Sequence, residues 1–184
     1  MRFNISYIIF PICISLTACS TINSTPYKAS TSNIISIQKQ LPPQSNKKVD
    51  VRTFNFASGV DGNITCRLMG PISIAPGKSI PVFIGEALQE ELFLAGAYDS
   101  TSNIKISGTV EQLSFNSVSP ANWVIGLRVF SNKSEGYSVS VNYGFDTSYD
   151  AQSACQNVAN AFGPAVQELL KKVITNPQFQ DLVK

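Results

Sequence analysis

Apolar and polar residues alternate with a period of two over three long stretches in the second half of the chain. Ile104, Ile106 and Val110 share one parity, and Leu113 and Phe115 take the other. A strand that changes parity in this way carries one extra residue, so a bulge is expected near Glu111 and Gln112. Trp123, Ile125, Leu127 and Val129 alternate through the next stretch. Tyr137, Val139, Val141, Tyr143 and Phe145 alternate through the third, with Ser138, Ser140 and Asn142 on the opposite side. Residues 131–136 read Ser-Asn-Lys-Ser-Glu-Gly and supply the turn between the last two. One apolar and one polar face per strand predicts an antiparallel meander with helices on one side only.

Two other stretches repeat with the helical period. In residues 81–95, Ile84, Leu88, Leu92 and Ala95 fall on one face, while Glu86, Gln89 and Glu90 lie off it. Pro81 suits a first helical turn, Ser79 is placed as N-cap, and Gly96 is a natural stop. In residues 151–174, Cys155, Val158, Phe162, Ala165, Leu169 and Val173 form a continuous apolar stripe behind a capping Asp150. Pro164 cannot donate to the carbonyl of Asn160, which predicts a kink or two shorter helices. Asn176-Pro177 ends this helix, and residues 177–183 form a last short turn. Upstream, residues 49–56 (Val-Asp-Val-Arg-Thr-Phe-Asn-Phe) read as a strand with a switch in parity, and residues 64–74, carrying Cys66, as a second extended piece. The expected class is α+β: an antiparallel sheet of about four strands with two helices packed on one face.

The N-terminus reads MRFNISYIIFPICISLTAC. A short positive start precedes an apolar run of the length of a signal-peptide core, shorter than the ~20 residues a spanning helix needs. Leu16, Thr17, Ala18 and Cys19 then resemble a bacterial lipobox. That resemblance implies recognition of Leu16, Thr17 and Ala18 by a signal peptidase, cleavage before Cys19, and acyl chains on Cys19. Several chains on one residue make a lasting anchor, since each buried methylene adds ~0.8 kcal/mol. Ser20 in place of an aspartate implies the outer rather than the inner membrane. Residues 1–18 are then a lipoprotein signal peptide. Residues 19–48, rich in Ser, Thr, Asn, Gln and Pro, are expected as the lipidated Cys and a flexible polar tether, with Ile34, Ile35 and Ile37 as its one apolar cluster. Residues 49–184 form a single domain. Of four cysteines, Cys13 leaves with the signal peptide and Cys19 is taken by lipid. Cys66 and Cys155 remain in an oxidising compartment, where a disulfide between them is expected, two separate buried thiols being the alternative.

Composition removes several kinds of chemistry. The 184 residues include no histidine, so a Ser-His-Asp triad, a Cys-His pair and a His-ligated zinc are excluded. Fourteen Lys and Arg against twelve Asp and Glu give +2, no basic excess for nucleic acid. No glycine-rich nucleotide motif appears, and no cofactor or metal is implied. Glu86 and Glu90, four apart on a helix, and Asp146 and Asp150, at a strand end, read as surface and capping groups. Aromatics gather in the meander, at Trp123, Phe130, Tyr137, Tyr143 and Tyr149. Phe130 and Val124 share the parity opposite Trp123 and are the apolar pair expected on its outer face.

The order of strand, helix, three strands and long helix behind a lipobox is similar to small outer-membrane lipoproteins of the YajG type. More distantly it resembles the LptE-like lipoprotein that plugs the lipopolysaccharide-transport barrel. The echoes are Glu86-Ala87-Leu88 to Gly96 before the sheet, and Asn176-Pro177-Gln178-Phe179 with Leu182-Val183 at the end. The expectation is a non-enzymatic, lipid-anchored lipoprotein on the periplasmic face of the outer membrane. It would bind or stabilise an envelope protein partner, and would take no nucleic acid and no nucleotide. An auxiliary lipoprotein of an ABC-type lipid transport system is the alternative.

Overall fold

The computed structural model describes residues 22–75 and 77–184. Leu16, Thr17, Ala18 and Cys19 lie outside the described residues. Eight α-helices and strands follow in the order α1 (Thr31–Gln40), β1 (Asp50–Phe56), α2 (Ile80–Leu94), β2 (Lys105–Asn116), β3 (Ala121–Ser131), β4 (Ser134–Phe145), α3 (Ala151–Thr175) and α4 (Phe179–Leu182). The four strands form one sheet in the order β1-β2-β3-β4. The class is α+β, with a largely antiparallel sheet.

The meander follows its alternation. Trp123, Ile125, Leu127 and Val129 are buried on the helix side, and β3 pairs antiparallel with both neighbours. The register of β2 against β3 shifts between Val110 and Gln112, where the parity changes. The stripe of α3 is buried from Cys155 through Val173. Asp150 Oδ2 accepts from the Ser153 amide at 2.7 Å and caps it. Despite Pro164, α3 is one element of 25 residues rather than two. Its neighbours hold it in place: the Trp123 indole N–H donates to the Val158 carbonyl at 2.9 Å, and the Tyr137 hydroxyl to the Val173 carbonyl at 2.6 Å.

Three expectations need correction. First, β1 runs parallel to β2. A single helix, α2, lies between them and returns the chain to the end where β1 began, so the two strands point the same way. Second, the extended piece at residues 64–74 folds back on itself. Thr65 bridges Pro71 antiparallel, and the Ile72 amide donates to the Ile64 carbonyl at 2.8 Å, which makes a small hairpin with residues 67–69 at its turn.

Third, residues 22–48 are not a flexible tether, and the folded body does not start at residue 49. Ile22, Ile37 and Leu41 are buried in the common core, and α1 packs on α3 and α2. Glutamines of α3 and α4 receive the backbone carbonyls of this strap. Gln156 Nε2 donates to the Asn23 carbonyl at 2.9 Å, Gln167 Nε2 to the Lys28 carbonyl at 2.5 Å, and Gln180 Nε2 to the Gln40 carbonyl at 2.8 Å. The strap therefore runs alongside α3 in the same direction, from its first turns to α4. Across the layers, Tyr27, Phe83, Phe162, Trp123 and Phe115 form a chain of ring contacts with centroids 5.1–5.8 Å apart. One end of this chain is on the strap and the other is on β2.

Close packing of β1 depends on two glycines. The Phe54 ring lies over Gly85 of α2 and Gly108 of β2. A Cβ built on Gly85 would be 3.0 Å from the ring, and one on Gly108 only 2.3 Å from it. Any larger residue at position 108 would occupy the space of the ring.

Candidate functional site: a clamped apolar tip

Three loops meet at the end of the sheet where β2 stops, β3 starts and β4 stops: residues 66–70, 117–120 and 146–149. Arg67 joins them. Its Nε donates to Ser117 Oγ at 3.1 Å, and its Nη1 to the carbonyls of Ser148 and Tyr149 at 3.0 and 3.3 Å. Its Nη2 donates to the Ser117 carbonyl. Thr147 Oγ1 donates to the same carbonyl at 2.5 Å. A planar fork of fixed donors suits this multi-loop clamp in a way a flexible ammonium does not.

The disulfide between Cys66 and Cys155, with Cα atoms 5.8 Å apart, fastens the base of the first loop to α3. Arg67 and Leu68 both have positive φ, at 43° and 60°. Two consecutive non-glycine residues in that region cost roughly 1–2 kcal/mol each, and persist only where the surroundings over-determine them. The disulfide on one side and the guanidinium bonds on the other provide that constraint.

What the clamp displays is apolar. Leu68 and Tyr149 are fully exposed, at 104% and 107%, with Val118 at 60% and Met69 at 46%. Beside them a groove of about 910 Å³ is lined by Arg67, Val118, Pro120, Phe145, Thr147 and Tyr149, among others.

A second polar cluster is internal. Glu91 is fully buried on α2, between Leu88 and Leu92. Its Oε1 accepts from the Tyr27 hydroxyl at 2.7 Å and from the Ser30 amide at 3.1 Å, and Asn33 Nδ2 donates to both its oxygens at 3.1 Å. Burial raises the Glu91 pKa, and the bonds from Tyr27, Ser30 and Asn33 oppose that rise without cancelling it. Burial, then the neighbouring carboxylate, raise the Tyr27 hydroxyl well above its ordinary value. These groups tie the strap to α2.

The other candidate residues stand apart. Glu86 pairs with Lys78, and it and Glu90 are exposed. Asp150 caps α3, and the bond from Ser153 holds its carboxyl below the usual range. Asp146 lies on the groove rim. Val124 and Phe130 are half-buried on the sheet face away from the helices. Among the described residues, no cluster of three or more His, Cys, Asp or Glu could hold a metal ion. No described helix is long and apolar enough to cross a membrane.

Sequence reasoning missed Arg67, Glu91, Tyr27 and Asn33. Glu91 had a signal: it lies three residues after Leu88 and seven after Ile84, on the apolar stripe, where a carboxylate demands partners. Arg67 had none beyond its place beside Cys66, because its partners are loop carbonyls 50–82 residues away.

No family model and no curated protein matches the chain. A solved structure is similar: protein XCC0632 from Xanthomonas campestris, of the DUF330 family, at 13% identity and a TM-score of 0.46, covering 69% of this chain and 83% of that one.

Proposed function

We propose that this protein is a non-enzymatic, lipid-anchored lipoprotein of the bacterial envelope that binds or stabilises a neighbouring outer-membrane or periplasmic protein. The observation that carries the reading is the position of Ile22. Ile22, three residues after Cys19, is already in the core, and Asn23 is bridged to Ser73. Acyl chains on Cys19 would hold the domain directly against the bilayer, with no long leash. Among the described residues, no helix covers the sheet face opposite α2 and α3, which offers Val124 and Phe130 among Ser, Thr and Asn side chains to a partner.

Mass spectrometry of the full chain isolated from bacterial membranes tests the anchor. The reading expects acyl additions at Cys19 and release of Cys19→Ala from the membrane fraction. An unmodified Cys19, or a Cys19→Ala chain in the same fraction as wild type, overturns it. Phe130→Asp tests the partner face: affinity capture from mildly solubilised membranes should lose the protein that wild type retains. Unchanged capture places the partner elsewhere.

A further inference from the structure

We propose that the clamped tip is a membrane-seating surface: Leu68 and Met69, flanked by Val118 and Tyr149, rest in the acyl and headgroup boundary of the bilayer. This deepens the proposed function and rests on its reading of Cys19 as the lipid anchor.

The direction of the chain at Ile22 favours a bilayer, rather than a protein, at the tip. Asn23 and Ser73 form a parallel bridge, and the Ser73 amide donates to the Ile22 carbonyl at 3.0 Å. In a parallel pair, stepping back along one strand moves the same way as stepping back along the other. Stepping back from Ser73 leads through Pro71 and Gly70 to Met69 and Leu68. The backbone at Ile22 therefore points toward the tip.

Cys19 is four residues before Asn23, a reach of at most about 14 Å. The sheet is about 36 Å long, judged from the 11 residues of β3. Acyl chains on Cys19 are thus confined to the half of the molecule that carries Leu68. The strap agrees: it starts beside Gln156, one residue after the disulfide cysteine Cys155, and travels away from the tip.

The chemistry of the tip suits a lipid interface. Leucine, methionine and valine offer apolar side chains. Tyrosine, with an apolar ring and a polar end, is at home at the level of the headgroups. Because Arg67 and the disulfide already hold the loops, seating them orders little that was mobile. The Arg67 donors are spent on the Ser117 hydroxyl and on loop carbonyls, and among the described residues the charged groups beside it, Asp146 and Asp150, are acidic. Attraction to anionic headgroups is therefore not the driving force, and zwitterionic lipid should suffice.

Another exposed apolar pair serves as a control. Phe93 and Leu94, exposed at 67% and 51%, end α2, close to the start of β1 and so at the opposite end of the sheet.

The test uses the full chain, purified from bacterial membranes and reconstituted in phosphatidylcholine vesicles with bromine on the acyl chains. Leu68→Trp and Phe93→Trp are compared with wild type, whose Trp123 is buried and supplies a constant background. Both substitutions are at exposed positions, so the fold tolerates them. The proposal expects brominated lipid to quench L68W and not F93W. An L68W chain that carries acyl groups by mass and is unquenched overturns the proposal while leaving the anchor intact, and it points to a protein on the tip. If the mass shows no acyl group, the anchor reading falls by itself. The same comparison is then made with the full chain held on nickel-chelating lipid through an N-terminal hexahistidine: selective quenching of L68W upholds the tip, and its absence overturns it.

Discussion

The Tyr27 hydroxyl donates to Glu91 Oε1 at 2.7 Å across 64 positions of sequence, and this bond fastens a polar N-terminal strap to the middle of a buried helix face. Removing the carboxylate leaves the Tyr27 hydroxyl and the Ser30 amide without their acceptor inside the protein, and Asn33 Nδ2 with only the Gln167 carbonyl at 2.9 Å. Glu91→Ala is therefore expected to cost on the order of 3 kcal/mol, measured by chemical denaturation, and to free residues 22–41 for proteolysis.

The same carboxylate makes stability depend on pH. Burial raises its folded pKa, so the folded chain holds the proton more tightly than the unfolded chain. The stabilising contribution is complete below the ordinary carboxylate value and is lost as pH rises through the raised folded value. Glu91→Gln removes this titration. Denaturation midpoints should fall more steeply for wild type than for E91Q across that interval, and equal slopes would refute the assignment.

Arg67 is expected to hold the tip rather than the core. Arg67→Lys keeps the charge but loses the fork, at a cost of about 1–3 kcal/mol. Amide exchange should accelerate in residues 117–120 and 146–149 while β3 and α3 keep their protection. A uniform change across the chain would mean that Arg67 supports the fold as a whole.

The disulfide closes a separation of 89 residues. Constraint of so long a loop in the unfolded chain is worth on the order of 4 kcal/mol. The double variant Cys66→Ala with Cys155→Ala should lose about that much, and a reductant should destabilise wild type toward it without affecting the variant.

Phe54 and Gly108 form a pair whose effects should not add. Gly108→Ala puts a methyl into the Phe54 ring and should cost about 1–3 kcal/mol. Phe54→Leu in the same chain should recover part of that loss. Gly144→Ala, whose Cβ would meet only the Ala121 carbonyl at 3.8 Å, should change stability by less than about 0.5 kcal/mol. The measurement is the thermal midpoint of each chain.

Local pattern alone determined α2, α3 and the strands of the meander, though not α1. The bulge after Val110, the buried parity of β3, the capping of α3 by Asp150 and the stripe from Cys155 to Val173 are all local patterns, because a strand or helix must turn its apolar side to the core wherever that core lies. The Cys66–Cys155 bridge was legible by counting. Tertiary structure decided what depends on distant partners. The direction of β1 follows from the path of α2. Residues 22–48 are a strap rather than a leash because Glu91 and three glutamines receive them. Arg67 became a clamp only when carbonyls from two remote loops came within reach of its guanidinium, a convergence that no run of neighbouring residues encodes.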